Sequence, residues 1–301
     1  MALALIAGQG GVPPYLVKRL LARGEVPLIC EVTQFPSEVT GDLPRLGVRL
    51  EGFGGFLAEL QARGITRLCM AGALPRPAVD PARIEADTMP YIPRLQGAMA
   101  KGDDGLLREI MTIFEEAGIT VIGAADLAPE VLPEPGVPTG TLPEGIEADL
   151  KAAVAARDRV ARDDPAPAVV VRGARVVAQE DARGIDALLA GLARAEGGRD
   201  GWSLDPFDIA DQVIGGAADW LSGQDGAPGT GGLLYTAPKP GQDLRIDMPV
   251  IGPETARGVV RSRLDGVVIE VGGVMLIQPE EVHGILGAAG CFLWVRPGGA
   301  G

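Results

Sequence analysis

The stretch that decides the fold is residues 3–14, Leu3-Ala-Leu-Ile-Ala-Gly-Gln-Gly-Gly-Val-Pro-Pro14. A short apolar run of this kind is typical of a buried strand, and the glycines that follow it favour a tight turn. Pro13 and Pro14 suit the first turn of a helix, where a missing N–H costs nothing. The order strand, turn and helix predicts the first unit of an α/β sheet.

The same alternation continues along the first third of the chain. Apolar runs at residues 26–32, 67–71 and 119–122 predict three more strands, and a helix is expected at residues 53–63. Asp103 and Asp104 can cap a further helix, whose apolar positions recur every three to four residues until Gly118 ends it. Strands that alternate with helices predict a parallel sheet up to about residue 125.

Two breaks rich in proline and glycine divide the chain, one near residues 127–144 and one at residues 163–167. We therefore expect a nucleotide-binding-like α/β domain at residues 1–143, a connecting helix and linker at 144–167, and a mixed α/β catalytic domain at 168–301. The last domain is expected to begin with a hairpin of residues 168–171 and 175–178. Beyond it we expect strands at 232–235 and 291–295, a strand pair at 266–269 and 274–277, and helices near 256–263 and 279–286.

Residues 196–231 interrupt this last domain as an insertion rich in glycine and aspartate. A helix is expected at residues 206–221. The aromatic residues Trp202, Phe207 and Trp220 could form a local core or cover a bound ligand.

Composition excludes several classes of protein. The 301 residues carry a formal net charge of −13, which would repel a nucleic-acid backbone. The three cysteines, Cys30, Cys69 and Cys291, lie in apolar runs and indicate buried thiols in a reducing compartment. No apolar run is long enough to span a membrane, so we expect a cytoplasmic protein, and contact with a membrane surface stays open.

Few residues offer catalytic chemistry. Gly8, Gly10 and Gly11 could cradle a phosphate, but Pro13 breaks the dinucleotide-binding pattern, and a simple turn explains the glycines equally well. His283 is the single histidine and cannot build a multi-histidine metal site. Hydrolytic chemistry would therefore depend on carboxylates, with Mg²⁺ as the expected cofactor.

The densest polar segment, residues 237–252, combines Lys239, Gln242, Asp243, Arg245 and Asp247 between apolar strands. Loops of this kind often line binding sites. Cationic side chains suit a diphosphate, and a carboxylate suits a metal ion or a water molecule.

Four blocks occur here in the order found in one family: residues 6–13, residues 69–77, Lys101-Gly-Asp-Asp-Gly-Leu-Leu-Arg108 and residues 237–252. In these blocks the chain resembles the LpxI-type UDP-2,3-diacylglucosamine pyrophosphatases of lipid A biosynthesis. The resemblance implies a hydrolase, a UDP-sugar diphosphatase that uses Mg²⁺ to release UMP and 2,3-diacylglucosamine 1-phosphate. It also implies an N-terminal Rossmann-like parallel sheet, a C-terminal mixed α/β domain, and a ligand cleft between them that accepts the acyl chains.

By this resemblance, Asp247 takes the position of the essential aspartate, as catalytic residue and metal ligand. Glu180 and Asp186 are expected as further metal ligands. An acylated substrate leads us to expect peripheral contact with the inner membrane, and a homodimer stays open. The expected substrate-binding residues are Gly8, Gly10, Gly11, Gly72, Arg76, Lys101, Asp103, Asp104, Lys239, Gln242 and Arg245.

Three positions depart from the family pattern: Arg183 replaces an acid, Ile185 a threonine and Thr236 a lysine. These changes raise an alternative, a non-catalytic or substrate-shifted binder of a nucleotide-sugar lipid. A third alternative, an oxidoreductase that uses a dinucleotide, rests on the glycine turn alone.

Overall fold

The computed structural model describes residues 2–74, 78–100, 102–160, 168–181, 183–197, 230–239 and 241–297. Arg76, Lys101 and the side chain of Asp103 lie outside this description. The same is true of the helix expected at residues 206–221 and of the insertion's aromatic residues, Trp202, Phe207 and Trp220.

Helices and strands alternate along much of the described chain. The first 134 residues form β1 (Ala2–Ala7), α1 (Val12–Ala22), β2 (Leu28–Val32), β3 (Arg45–Val48), α2 (Phe53–Ala62), β4 (Ile65–Ala71), α3 (Ile92–Met99), α4 (Asp103–Glu116), β5 (Thr120–Ile122) and α5 (Ala124–Leu127). The rest of the described chain forms β6 (Gly136–Thr139), α6 (Ile146–Val160), β7 (Ala168–Arg172), β8 (Arg175–Gln179), α7 (Ile185–Gly197), β9 (Leu233–Thr236), β10 (Val250–Ile251), α8 (Pro253–Arg261), β11 (Gly266–Glu270), β12 (Met275–Leu276), α9 (Pro279–Ala288) and β13 (Phe292–Arg296).

The chain divides into two compact units that are not continuous in sequence. Unit 1 contains Met1–Glu134, Pro240–Gly252 and Val271–Pro279, and unit 2 contains Pro135–Lys239, Pro253–Glu270 and Glu280–Gly301. The polar segment therefore belongs mostly to unit 1, although it lies beyond residue 168. The domain boundaries drawn from the sequence stay a prediction, as does a ligand cleft between the domains.

Unit 1 contains a five-stranded sheet in the order β3-β2-β1-β4-β5, and every pairing in it is parallel. The predicted parallel sheet is confirmed. Strand order reverses direction between β1 and β4, and ligands of open α/β sheets bind beyond the carboxyl ends of the strands at such a point. The glycine turn after β1 and Gly72 after β4 both lie there.

Both faces of this sheet are buried, because the side chains of β1 alternate between two cores. Leu3 and Leu5 belong to the cluster that contains Leu16 of α1. Ala4 and Ile6 belong to the cluster that α2 and α4 cover. Helices on both faces of a parallel sheet make a doubly wound, Rossmann-like unit.

Unit 2 contains a mixed six-stranded sheet in the order β6-β13-β11-β9-β7-β8. The predicted hairpin is confirmed, since β7 and β8 are antiparallel neighbours joined by Gly173 and Ala174. These two turn residues have φ values of 54° and 61°, as a two-residue hairpin turn requires.

The expectation that residues 266–269 and 274–277 form a strand pair is wrong. β11 pairs with β9 and β13, whereas β12 pairs in parallel with β10 in a separate two-stranded sheet. β10 lies within the segment that was expected to be only a polar loop. Two apolar runs close in sequence suggested a local pair, but each pairs with strands more distant in the sequence.

No helix in the described part of the chain is long and apolar enough to cross a membrane.

Candidate functional site

The glycine turn after β1 is bound to the chain that follows β4. The N–H of Gly8 donates to the carbonyl of Ala71 at 2.8 Å, and Gln9 and Ala73 exchange two backbone hydrogen bonds of 2.8 and 2.9 Å. A Cβ atom at Gly8 would lie 2.5 Å from the Ala73 carbonyl oxygen, and one at Gly72 would lie 2.7 Å from that of Gln9. Close backbone contact therefore explains Gly8 and Gly72 without a ligand.

The start of α1 offers few donors to a phosphate. Pro13 and Pro14 carry no N–H, and the N–H of Gly10 points to the Glu38 carboxylate at 3.3 Å. The side of the turn at Gly10 and Gly11 is nonetheless exposed. Phosphate binding by these glycines stays a prediction.

Residues 241–247 form a turn that Asp243 organises. Its carboxylate accepts a hydrogen bond from the backbone N–H of Arg245 at 3.1 Å. It also forms two parallel contacts with the guanidinium group of Arg245, at 3.0 and 2.7 Å. Hydrogen bonds from Arg245 hold the pKa of Asp243 below its ordinary value. The paired charges fix the turn in one conformation.

Asp247 is the last residue of this turn and is exposed. Its Oδ2 accepts a hydrogen bond from Nε2 of Gln242 at 2.5 Å, so the turn brings the two residues together. A carboxylate presented on an ordered turn and open to solvent can orient a water molecule or bind a divalent cation.

Helix α4 anchors this turn at two points. Arg108 donates from Nη2 to the carbonyl oxygen of Gly241 at 2.5 Å, and its Nε contacts Asp104 at 2.8 Å. Arg245 reaches back to Glu115, near the end of the helix, at 2.8 Å. Gly102 occupies the N-cap position of α4. The expectation that Asp104 serves as a cap is therefore wrong, because this residue instead pairs with Arg108.

The two carboxylates expected to bind metal in unit 2 have structural partners. Glu180 accepts a hydrogen bond from the N–H of Ala168 at 3.0 Å and so closes the open end of the hairpin. Asp186, in the first turn of α7, accepts from Oγ1 of Thr255 in α8 at 2.9 Å. Both belong to unit 2, whereas Asp247 belongs to unit 1.

Comparison with known proteins assigns almost all of the chain to one family. A model of the LpxI N-terminal domain matches residues 2–131, and a model of the LpxI C-terminal domain matches residues 134–294. The chain belongs to the LpxI family. A relative from Caulobacter vibrioides, named UDP-2,3-diacylglucosamine pyrophosphatase LpxI, is 30% identical over 297 residues, which cover 97% of this chain and 96% of the relative.

The structure shows the contacts of the three residues at which this LpxI-family chain departs from the expected pattern. Arg183 forms a bidentate pair with Asp181, with Nε 3.1 Å from Oδ1 and Nη2 2.7 Å from Oδ2. Ile185 is buried at the start of α7. Thr236 is fully buried, and its hydroxyl group has no hydrogen-bond partner among the described residues.

Among the described residues of each unit, protein side chains alone do not form a metal site. Within the described part of the chain, no three His, Cys, Asp or Glu residues are grouped so that they could hold a metal ion. The predicted set of Asp247, Glu180 and Asp186 therefore stays a prediction. Lys239 also belongs to unit 2, whereas Gln242, Arg245 and Asp247 share one turn of unit 1.

Sequence reasoning missed the residues that hold the turn. Arg108 ends a block that was recognised as characteristic, but an arginine on a helix gives no signal of a partner 133 positions away. Glu115 likewise reads as one of several acidic residues on an exposed face. Residue types could identify the polar turn, but only the fold could identify its supports.

Proposed function

We propose that this LpxI-family chain hydrolyses the pyrophosphate bond of UDP-2,3-diacylglucosamine and so produces UMP and 2,3-diacylglucosamine 1-phosphate. The observation that carries the proposal is the ordered turn of residues 241–247, which presents the Asp247 carboxylate to solvent. The name of the Caulobacter relative, which aligns along nearly the whole chain, supplies the substrate.

The oxygen atoms of Asp247 and Gln242 suit Mg²⁺ as part of an incomplete coordination shell. This ion is usually held by one or two carboxylates together with water and substrate phosphates, and it does not require a complete protein cage. Asp247 fits that manner of binding, since its carboxylate is exposed and the nearby Gln242 adds an amide group. When bound, Mg²⁺ would neutralise charge that develops on the diphosphate.

The charged residues of the turn and Lys239 would have separate roles in the reaction. Asp247 would accept a proton from, or orient, the water that attacks phosphorus. Arg245 is engaged by Asp243 and Glu115, and this supports a role in holding the turn. Lys239 remains a candidate for binding the substrate phosphates.

A substrate with two acyl chains would bring the protein to a lipid surface. We therefore propose that it works in the cytoplasm with peripheral contact to the inner membrane.

The decisive experiment measures UMP release from UDP-2,3-diacylglucosamine with Mg²⁺ and with EDTA. We expect release with Mg²⁺ and a loss of at least about a hundredfold in Asp247→Asn, which keeps the shape of the side chain but cannot accept a proton. Asp42→Asn, which changes an exposed aspartate elsewhere in unit 1, should retain full activity. Full turnover by Asp247→Asn would refute the role of this residue, and release that persists in EDTA would refute the role of the metal.

The second candidate, a non-catalytic binder, is favoured by the environments of Arg183 and Ile185. The guanidinium of Arg183 is paired with Asp181, and Ile185 is buried in the core. A binder would be thermally stabilised by the lipid nucleotide without releasing UMP. Stabilisation with no UMP under any metal condition would establish this alternative.

A further inference from the structure

The sheet of unit 2 brings polar side chains to the carboxyl ends of three parallel strands. Tyr235 lies near the end of β9, Glu270 ends β11 and Arg296 ends β13. Glu270 and Arg296 are partners in the strand register, as are Val268 and Tyr235. The carboxyl ends of parallel strands are where α/β sheets usually bind ligands.

Tyr235 and Glu270 are tightly connected. The tyrosine ring is fully buried, and its hydroxyl group donates to Oε1 of Glu270 at 2.6 Å. Burial and this carboxylate raise the pKa of Tyr235 far above its ordinary value, so the hydroxyl keeps its proton. Glu270 is thus held in place by a neutral donor and needs no cation to fix it.

Arg296 is less well satisfied. Its one contact with Glu270 is 3.4 Å long, although only 22% of its side chain is exposed. A guanidinium group carries five N–H donors. Most of these donors therefore have no acceptor among the described residues.

Arg157 lies in α6, which packs on the face of the sheet that contains Tyr235 and Val268. Its side chain reaches the carboxyl ends of the strands. Its Nη1 donates to the carbonyl oxygen of Pro238, directly after β9, at 3.2 Å. Its Nη2 contacts the exposed carboxylate of Asp158 at 2.9 Å. Its Nε is buried and has no hydrogen-bond partner among the described residues.

Arg157 and Arg296 share Tyr235 as a neighbour, since the positive charge of each acts on its hydroxyl group. The carboxylates in contact with the two guanidinium groups are Asp158, which is exposed, and Glu270. The buried Nε of Arg157 is costly to leave without an acceptor, and the partly buried Arg296 makes only one long contact among the described residues. An anion with several oxygens would satisfy both groups.

We propose that Arg157 and Arg296 form a binding site for a phosphoryl group at the carboxyl edge of the unit 2 sheet. The planar guanidinium fork matches the geometry of phosphate oxygens. Tyr235 and Glu270 hold Arg296 at the edge of this site. That the phosphoryl group belongs to the diphosphate of the substrate rests on the proposed function; the site itself does not.

The test measures binding of inorganic pyrophosphate to the full-length protein by titration calorimetry, in EDTA so that no metal contributes. We expect Arg157→Gln and Arg296→Gln each to weaken binding by about tenfold or more, whereas Arg157→Lys retains part of the affinity. Arg175→Gln is the matched control, because Arg175 is exposed and begins β8 at the opposite edge of the same sheet. For turnover of UDP-2,3-diacylglucosamine we expect a raised KM and a nearly unchanged kcat in both glutamine variants.

Unchanged pyrophosphate affinity in Arg296→Gln and Arg157→Lys, the two milder changes, would overturn the site. If Arg157→Gln fails to fold, those two variants still decide the matter. If the wild-type protein releases no UMP while the variants lose pyrophosphate binding, the proposed function is refuted and the site stands. UMP release with an unaltered KM in variants that have lost pyrophosphate binding would leave both the proposed function and the site standing, and would refute the assignment of this phosphoryl group to the substrate.

Discussion

Gly8 and Gly10 occupy the same turn, but the structure gives them different reasons to be glycine. A Cβ at Gly8 would collide with the Ala73 carbonyl oxygen at 2.5 Å, whereas Gly10 has φ of 92° and no atom within 4 Å of an added Cβ. We expect Gly8→Ala to lower the free energy of unfolding by about 2 kcal/mol, since backbone must shift. Gly10→Ala should cost about 1 kcal/mol from conformational strain alone.

Urea unfolding measures both free energies. An equal cost for the two variants would contradict the contact between the turn and the chain after β4. If Gly10→Ala left stability almost unchanged and raised the KM for the UDP substrate, the exposed side of the turn would gain support as a phosphate site.

Asp243 supplies a prediction about pH. Hydrogen bonds from Arg245 lower its pKa below the ordinary 3.8, so the ionised form stabilises the folded protein. This contribution is fully present above the ordinary pKa and is lost as pH falls through the lowered one. Because the Arg245 side chain is 39% exposed, water screens the pair, and we expect Asp243→Asn to cost only about 1 kcal/mol at pH 7.

Unfolding in urea at pH 7, 5 and 3 checks this expectation. The difference between wild type and Asp243→Asn should be constant from pH 7 to 5 and smaller at pH 3. Asp42→Asn, at an exposed position of unit 1, is the control for the loss of one negative charge. A difference that grows as pH falls would contradict the assigned direction of the pKa shift.

Among the helices and strands, α4 supports the candidate site, although it does not contain the expected catalytic residue Asp247. Its Arg108 binds the Gly241 carbonyl and its Glu115 binds Arg245, so the helix holds the turn at two points. We expect Arg108→Ala and Glu115→Gln to lower kcat for UMP release about tenfold, because Asp247 would lose its fixed position. Their free energies of unfolding should change by less than about 1 kcal/mol, since both contacts are partly exposed.

Arg63→Ala is the matched control. It removes another exposed arginine, which follows α2 and pairs with the Glu59 carboxylate of that helix. It should leave kcat unchanged, and Arg108→Lys should restore part of the lost activity. Reduced activity in Arg63→Ala would show that the effect is general destabilisation. Full activity in Arg108→Ala would show that the turn keeps its shape without the helix.

The elements also show which features sequence reasoning can reach. Helix α4 could be predicted closely, since its apolar spacing is regular and Gly118 follows its end with φ of 82°. β10 and β12 could not, because each has two residues and is recognisable as a strand through its pairing with the other. For the candidate site, the family resemblance singled out Asp247, and the polar segment already included Gln242. The contacts of Arg108 and Glu115 with the turn depend on how the chain folds back.

At the scale of the whole molecule, the chain passes repeatedly between its two compact units. Val271–Pro279 lies within the range matched by the C-terminal family model, yet it belongs to unit 1. Met275 and Ile277 are buried in the cluster that contains Leu5 of β1 and Leu16 of α1. The first unit therefore completes its core only after most of the second has been synthesised.

This arrangement predicts that a change late in the sequence destabilises the first sheet. Ile277 is 5% exposed, and its Cδ1 would lie 3.2 Å from a Cβ added at Gly11. We expect Ile277→Ala to cost about 3 kcal/mol, as large-to-small changes in a core do. Amide hydrogen exchange should show reduced protection in β1 and β4, and little change in β9 and β11.

Val282→Ala, a buried change in α9 of unit 2, should give the opposite pattern. Equal loss of protection in both sheets for both variants would mean that the two units unfold as one cooperative body.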